Sequence, residues 1–258
     1  MSSNIDISLY KDKISSGEII RYKGLLLQPI RMIHFSDYLE CITIFQIDKN
    51  KSIEYVQMSE LEFLLYLCSD IKLCYLFYRL MNLCTNYETE DINFKYEDDK
   101  KLYLCIGENK FDKKDFENIK RLICYQNIPE YDDEYIDPDF KQALEDAKEL
   151  MYKNSPKINM GNRISGVMTI TGLTYDEIMD MPIVCFFDLF EKASQYPDWK
   201  IIKQASLQPG VKFKNKIAHW LFKDKNMEYE SIITSTQDIG EITDSDADKI
   251  ISNNTNIQ

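Results

Sequence analysis

Twice in this chain a hydroxyl residue stands three positions ahead of a glutamate at the start of an apolar run: Ser59 with Glu62 before FLLYL, and Thr174 with Glu177 in LTYDEIMDM. In that arrangement the hydroxyl accepts the third helical amide and the carboxylate reaches back to the cap's own amide, so a helix is fixed at a definite residue. Asp70, Asp112 and the pair Asp137 and Pro138 offer further helix starts. Start signals are densest from Gly161 to Phe222. With only 8 Gly and 7 Pro in 258 residues, the chain does not read as a turn-rich sandwich. The expected class is α+β, mainly α: a small amino-terminal α+β lobe followed by a carboxy-terminal helical module.

Taken in order, residues 1–18 are polar and expected to be flexible. IIRYKGLLLQPIRM, around Gly24, predicts a hairpin of short strands ended by Pro29. Ser36 is a candidate cap for a helix running towards Ile47. LEFLLYL and IKLCYLFYRLMNLC predict two helices, expected to be too apolar for exposure. INFKYE and KLYLCI alternate as a second hairpin, and Asp112 caps a helix with Phe116, Ile119, Leu122 and Ile123 on one face. These elements make an α+β lobe over 19–126.

NIPEYDDEYIDPD, residues 127–139, predicts an acidic linker. The helical module spans 140–222. In it Phe140, Leu144, Ala147 and Leu150 share a face, a helix from Arg163 stops at Gly172, and Thr174 opens a short one. Pro182 begins a third helix that should end before Pro197, and Asp198 should cap a fourth. The composition of 223–258 predicts a disordered polar tail.

Lys+Arg 31 against Asp+Glu 43 gives a net charge of −12, which repels phosphate at long range, so nucleic acid is an unfavourable partner and anionic membranes likewise. The seven cysteines are odd in number with no CxxC pair, as expected of small buried side chains in a reducing cytoplasm. No basic leader and no apolar run of membrane length occurs, so a soluble intracellular protein is expected.

Catalytic signatures fail one by one. The two histidines, His34 and His219, have no HExxH, nucleophile-elbow or phosphate-loop motif around them. Asp244, Asp246 and Asp248 open like a calcium loop, but Lys249 and Thr255 occupy the positions that need glycine and glutamate. The chain therefore reads as a non-enzyme with no cofactor and no metal, an enzyme without a recognisable motif being the alternative.

The turn VMTITGLTYDEIMDM has the outline of a helix-turn-helix, which keeps a nucleic-acid-binding regulator as another alternative. Its second helix nevertheless presents Asp176, Glu177 and Asp180 where phosphates would lie. Residues 200–225 carry seven lysines against Asp224. This basic stretch suits an acidic protein partner or the acidic linker better than nucleic acid. Candidate partner-binding residues are Phe186, Phe213, Lys212, Lys214, Lys216 and Trp220. Phe187 and Phe190 share the Phe186 stripe and are expected to be core.

GLLLQPIRMIHFSDYLECITIFQIDKNKSIEYVQMSELEFLLYL resembles the amino-terminal portion of tail-morphogenesis proteins of phages of Gram-positive bacteria. GLTYDEIMDMPIVCFFDLFEKA and VKFKNKIAHWLF resemble their carboxy-terminal helical portion. The resemblance implies a tail assembly chaperone or virion-associated protein without catalytic residues. Its implied partners are the tape-measure and tail-tube proteins, and its implied place is the host cell cytoplasm or the virion.

Overall fold

The computed structural model describes residues 5–97, 101–133, 159–208, 219 and 221. Two compact units divide the chain: residues 1–134 with 158–194, and residues 135–157 with 195–258. The helices from Met160 to Ser194 thus share a unit with the amino-terminal elements. The predicted helix at Asp137 and the tail 223–258 lie outside the described residues, as does most of the 127–139 linker.

The first unit begins with a 3-10 turn, Ile7–Tyr10, and helix α1, Lys11–Ser16. The expectation of a loose start is corrected here. Asp6 caps the turn, the Ile5 amide donates to Asn118 Oδ1 at 3.0 Å, and Ile7, Tyr10 and Ile14 pack on the core. α1 ends at Gly17, whose φ of +70° is left-handed and whose missing Cβ would stand 2.6 Å from Pro182 Cγ. Both the backbone conformation and the close approach require glycine there.

Strands β1 (Ile20–Tyr22) and β2 (Leu25–Leu27) form the expected antiparallel hairpin. Helices α2 (Phe35–Cys41), α3 (Thr43–Gln46) and α4 (Ile53–Val56) follow. Ser36 does not cap α2: a 3-10 turn at Met32–His34 runs directly into the helix and His34 occupies the cap position. Helix α5 (Glu60–Leu67) starts at the Ser59 and Glu62 capping box, and α6 (Ile71–Thr85) at Asp70, whose carboxylate accepts the Lys72 and Leu73 amides.

Strands β3 (Ile92–Tyr96), β4 (Leu102–Ile106) and β5 (Asn109–Phe111) make one antiparallel sheet with β4 in the middle. Phe111 is fully buried, so the third strand extends the predicted hairpin by placing one more large side chain in the core. Asp112 then caps α7 (Lys113–Asn127). Helices α5 and α7 cover the sheet, while α6 lies on β2 and α2. Phe77, Leu80, Leu104, Phe116, Ile119 and Leu122 are buried among them.

Helices α8 (Met160–Thr171) and α9 (Tyr175–Met179) are joined at Gly172, left-handed with φ +78°. Helix α10, Ile183–Ala205, continues from the first unit into the second. It does not stop at Pro197, and Asp198 caps nothing. Proline removes one amide and crowds the preceding turn, a cost of about 3 kcal/mol. The helical residues on both sides, with Tyr196 and Trp199 stacked at 6.3 Å, carry the helix past it.

An extended strip, Gln28 to Met32, holds the first unit together. Its backbone bonds to the end of α6 through Gln28 N–H to the Cys84 carbonyl, 2.8 Å. At 181–183 the Met32 amide donates to the Met181 carbonyl and the Ile183 amide to the Ile30 carbonyl, each at 2.9 Å. The Ile30 amide donates to Asn127 Oδ1 at 2.6 Å, and Asn127 Nδ2 donates to the Ile123 carbonyl at 2.8 Å. Asn127 is completely buried. Replacing it with leucine would strand the Ile30 amide in a dry environment, so Asn127→Leu should lower unfolding free energy by about 2–3 kcal/mol in denaturant titration.

Glu62 and Asp133, with the exposed Asp6 and Glu177, are carboxylates held below their ordinary values and so shape the acid response. The Ser59 hydroxyl and amide hold Glu62 below its ordinary value. Burial alone would raise Asp133, but hydrogen bonds from Arg121 and Tyr125 outweigh it and leave its value lowered. Because the folded values lie below the unfolded ones, the stabilisation is complete above the unfolded value and disappears as pH falls through the folded one. Stability measured by denaturant titration should decline below about pH 4.5, and Glu62→Gln with Asp133→Asn should flatten that decline.

Candidate functional site

Helix α6 is amphipathic but incompletely covered. Phe77, Leu80, Met81 and Cys84 face the core, whereas Ile71 is 84% and Tyr75 62% exposed. The expectation that this helix is too apolar to be exposed is therefore corrected: its first two turns carry exposed apolar side chains. Ile71, Lys72, Tyr75 and Leu76 line an open cleft of about 590 Å³ with Glu40 and Thr43.

A second recess of about 190 Å³ shares Tyr75 and continues along α6 past Tyr78, Arg79 and Asn82 to Glu88 and Thr89. Together they form a groove that follows α6 from Ile71 to Asn82, about 16 Å at 1.5 Å per residue. Its character changes along its length. The first end is apolar, and the second is set with hydrogen-bonded polar groups: Arg79 is paired with Asp37, and Asn82 Nδ2 donates to the Tyr87 carbonyl at 3.1 Å. Such a surface can bind an amphipathic segment, its apolar residues against Ile71 and Tyr75 and its polar ones towards Asn82.

The residues singled out in sequence are placed differently. Phe186 is fully buried, in edge contact with Phe187 at 5.6 Å and stacked with Phe190 at 6.5 Å. It is a core residue and offers no surface. Phe187 and Phe190 are only half-buried, and the Arg163 guanidinium covers both rings at 5.6 and 5.2 Å. The i, i+4 stripe identified the core-facing side of α10, and which ring lies deepest depends on how Phe35 and α8 meet it. Phe213, Lys212, Lys214, Lys216 and Trp220 lie outside the described residues. In the second unit the Trp199 ring meets His219 at 5.2 Å.

At the helix-turn-helix-like corner, Glu177 is occupied by the cap, accepting the Thr174 amide at 2.8 Å and its hydroxyl at 2.7 Å. Asp180 is paired with Arg31. The acidic face of α9 is thus partly built into the fold and remains opposed to phosphate.

A polar cluster at the hairpin has the composition of a reactive site and a structural geometry. The Tyr22 hydroxyl donates to Asp115 at 2.9 Å, Lys23 lies 2.6 Å from the same carboxylate, and Asn118 donates to the Tyr22 oxygen at 3.1 Å. Burial raises the Tyr22 phenol and the Asp115 bond raises Lys23, so both stay protonated and bonded to one another. They hold the β1–β2 hairpin on α7. Among the described residues no three His, Cys, Asp or Glu side chains converge as metal ligands. Nor is any helix there long and apolar enough to cross a membrane.

Residues 153–225 match the family model described as the YomV second domain. This match, to a family of Bacillus phage type, associates the carboxy-terminal helical part of the chain with a phage protein family. No curated protein and no solved structure matches the chain.

Core and groove should respond oppositely to substitution. Phe186→Ala should cost about 3–5 kcal/mol of stability. Ile71→Glu and Tyr75→Glu, at exposed positions, should each stay within about 0.5 kcal/mol of the parent in the same calorimetric measurement.

Proposed function

We propose that this is a non-enzymatic phage protein that acts in tail assembly by binding other phage proteins, with the groove along α6 as its docking site. The observation that carries the reading is the exposure of Ile71 and Tyr75 at the apolar end of that groove, in a chain whose helical part matches a phage family. An isoleucine and a tyrosine held on a well-packed helix bind with little loss of side-chain freedom, and tyrosine is enriched where binding energy concentrates. The occupant we favour is an amphipathic helical segment of the tape-measure protein, whose apolar face needs covering until tail-tube subunits enclose it. The host cytoplasm is where such covering is required, and retention in the virion is compatible with it.

The charge balance argues against the nucleic-acid alternative, since the −12 chain presents acidic residues on the helix that would enter a groove of DNA. The test is co-expression with the tagged tape-measure and tail-tube proteins encoded by the same phage, followed by affinity capture. The parent should be retained by the tape-measure protein. The double variant Ile71→Glu, Tyr75→Glu should be retained at least tenfold less, a loss of about 1.4 kcal/mol or more. Retention of neither tail protein would overturn the reading, and salt-sensitive retention on DNA would favour a regulator in its place.

A further inference from the structure

The two ends of the α6 groove differ in charge as well as in polarity. At the cleft end Lys72 and Glu40 line the same space, and their opposite charges offset one another. At the other end Arg79 is matched by Asp37 at 2.5 Å, which leaves Glu88 as the uncompensated charge among the residues lining the recess. Asn82 Nδ2 donates to one Glu88 oxygen at 3.3 Å, and Glu88 remains exposed.

This acidic end is fixed in place. Glu88 leads into the 3-10 turn Thr89–Asp91, where the Asp91 amide donates to the Glu88 carbonyl at 3.1 Å and the Asp91 carbonyl accepts the Gly107 amide at 2.9 Å. Glu90 and Asp91 are exposed beside Glu88. Helix α6 ends just before them, at Thr85, and the carboxy end of a helix adds partial negative charge of its own. Tyr75 and Tyr78 line the same recess as Glu88, and the face of an aromatic ring attracts a cation. Arg79 does not reverse this balance. Besides its pairing with Asp37, its Nε is buried without a partner, so it does not present the open fork that grips a carboxylate with two parallel bonds.

We propose that the groove selects a basic amphipathic helix, and that Glu88 with the Tyr75 and Tyr78 rings forms the subsite for a lysine or arginine of that helix. This rests on the reading of the α6 groove as a docking site and adds the chemistry of the occupant. The apolar residues of the bound helix lie against Ile71 and Tyr75. Its basic residue enters the recess about two turns further on, since Tyr75 and Asn82 are about 10 Å apart along α6 at 1.5 Å per residue. The long apolar stem of a lysine or arginine covers the tyrosine rings while its charged head reaches Glu88. An acidic residue at the same place meets Glu88, Glu90 and Asp91 and is rejected, so the acidic end also sets the direction in which the segment lies.

The experiment titrates the full chain into three fluorescein-labelled synthetic peptides of about 18 residues, long enough to span the groove as a helix, and follows anisotropy. All three share one leucine face and differ only at two positions near one end, which are lysine, glutamine or glutamate. The lysine peptide should bind about tenfold more tightly than the glutamate peptide, with glutamine between them, and high salt should narrow the gap. Glu88→Lys should invert the ranking. Glu88→Gln, which keeps an oxygen for Asn82, should shrink the preference if the reversal disturbs the turn. Ile71→Ala should weaken all three peptides by a similar factor. Equal binding of the three, each weakened by Ile71→Ala, would overturn this proposal and leave the groove standing as a docking site. A lysine preference unchanged in both Glu88 variants would also overturn it, because the attraction would then belong to the charge of the whole chain. Binding of none of the peptides would sink the basic-helix proposal, while retention by the tape-measure protein on co-expression decides the docking site separately.

Discussion

The first unit depends on five residues, Gln28 to Met32. This strip has Pro29 at its second position, which lacks an amide, and every other amide except that of Arg31 is satisfied by a different part of the chain: Cys84, Asn127 and Met181. A buried backbone amide without a partner costs about as much as a lost hydrogen bond. The strip is therefore tolerable in the interior only because α6, α7 and the start of α10 all converge on it. Asn127 is the one side chain among these partners, and it is as deeply buried as any aliphatic residue around it. Apolar packing supplies most of the gain in free energy, but the strip decides which surfaces face one another.

The two kinds of surface in the molecule follow from that arrangement. Once Leu80, Phe77, Met81 and Cys84 turn inwards against β2 and the core, the opposite side of α6 is left with Ile71 and Tyr75, for which no interior space remains. An exposed large apolar residue is ordinary when single. Here Ile71 and Tyr75 line one cleft together with Leu76, and a grouping of that kind marks a contact surface. The carboxy-terminal corner shows the reverse. Its aromatic stripe, which as a pattern on a helical wheel suggests a docking face, is largely taken up by Arg163 and Phe35.

Much of the architecture was legible from residues that act locally. Ser59 with Glu62, Asp70, Asp112, Thr174 with Glu177 and Gly172 each specify a helix boundary through hydrogen bonds or a backbone angle within a few residues, and the structure has all of them. What depended on distant partners was not legible. Residues 5–17 are ordered by Asn118 and Pro182, more than a hundred positions away. Pro197 is overridden by the helix on either side of it. The candidate site suffered most. The apolarity of α6 is the same whether one side or both are covered, and only the position of α2 and α3 reveals that Ile71 and Tyr75 remain outside. A hydrophobic run in which large residues fall on both faces of a helix was the available signal, and it reads equally well as complete burial.

The backbone pairing of the strip with residues 181–183 also has a consequence in time. Arg31 and Asp180 are 149 positions apart, so the backbone bonds that satisfy Ile30 and Met32 cannot form until most of the chain has left the ribosome. Contacts of such long range are made late, after the local helices they join. Until then the amino-terminal strip has bare amides and the inner side of α6 has an incomplete cover. A nascent chain cut off before Met181 would present an open strand edge, and translation that pauses there leaves the protein at its most vulnerable to aggregation.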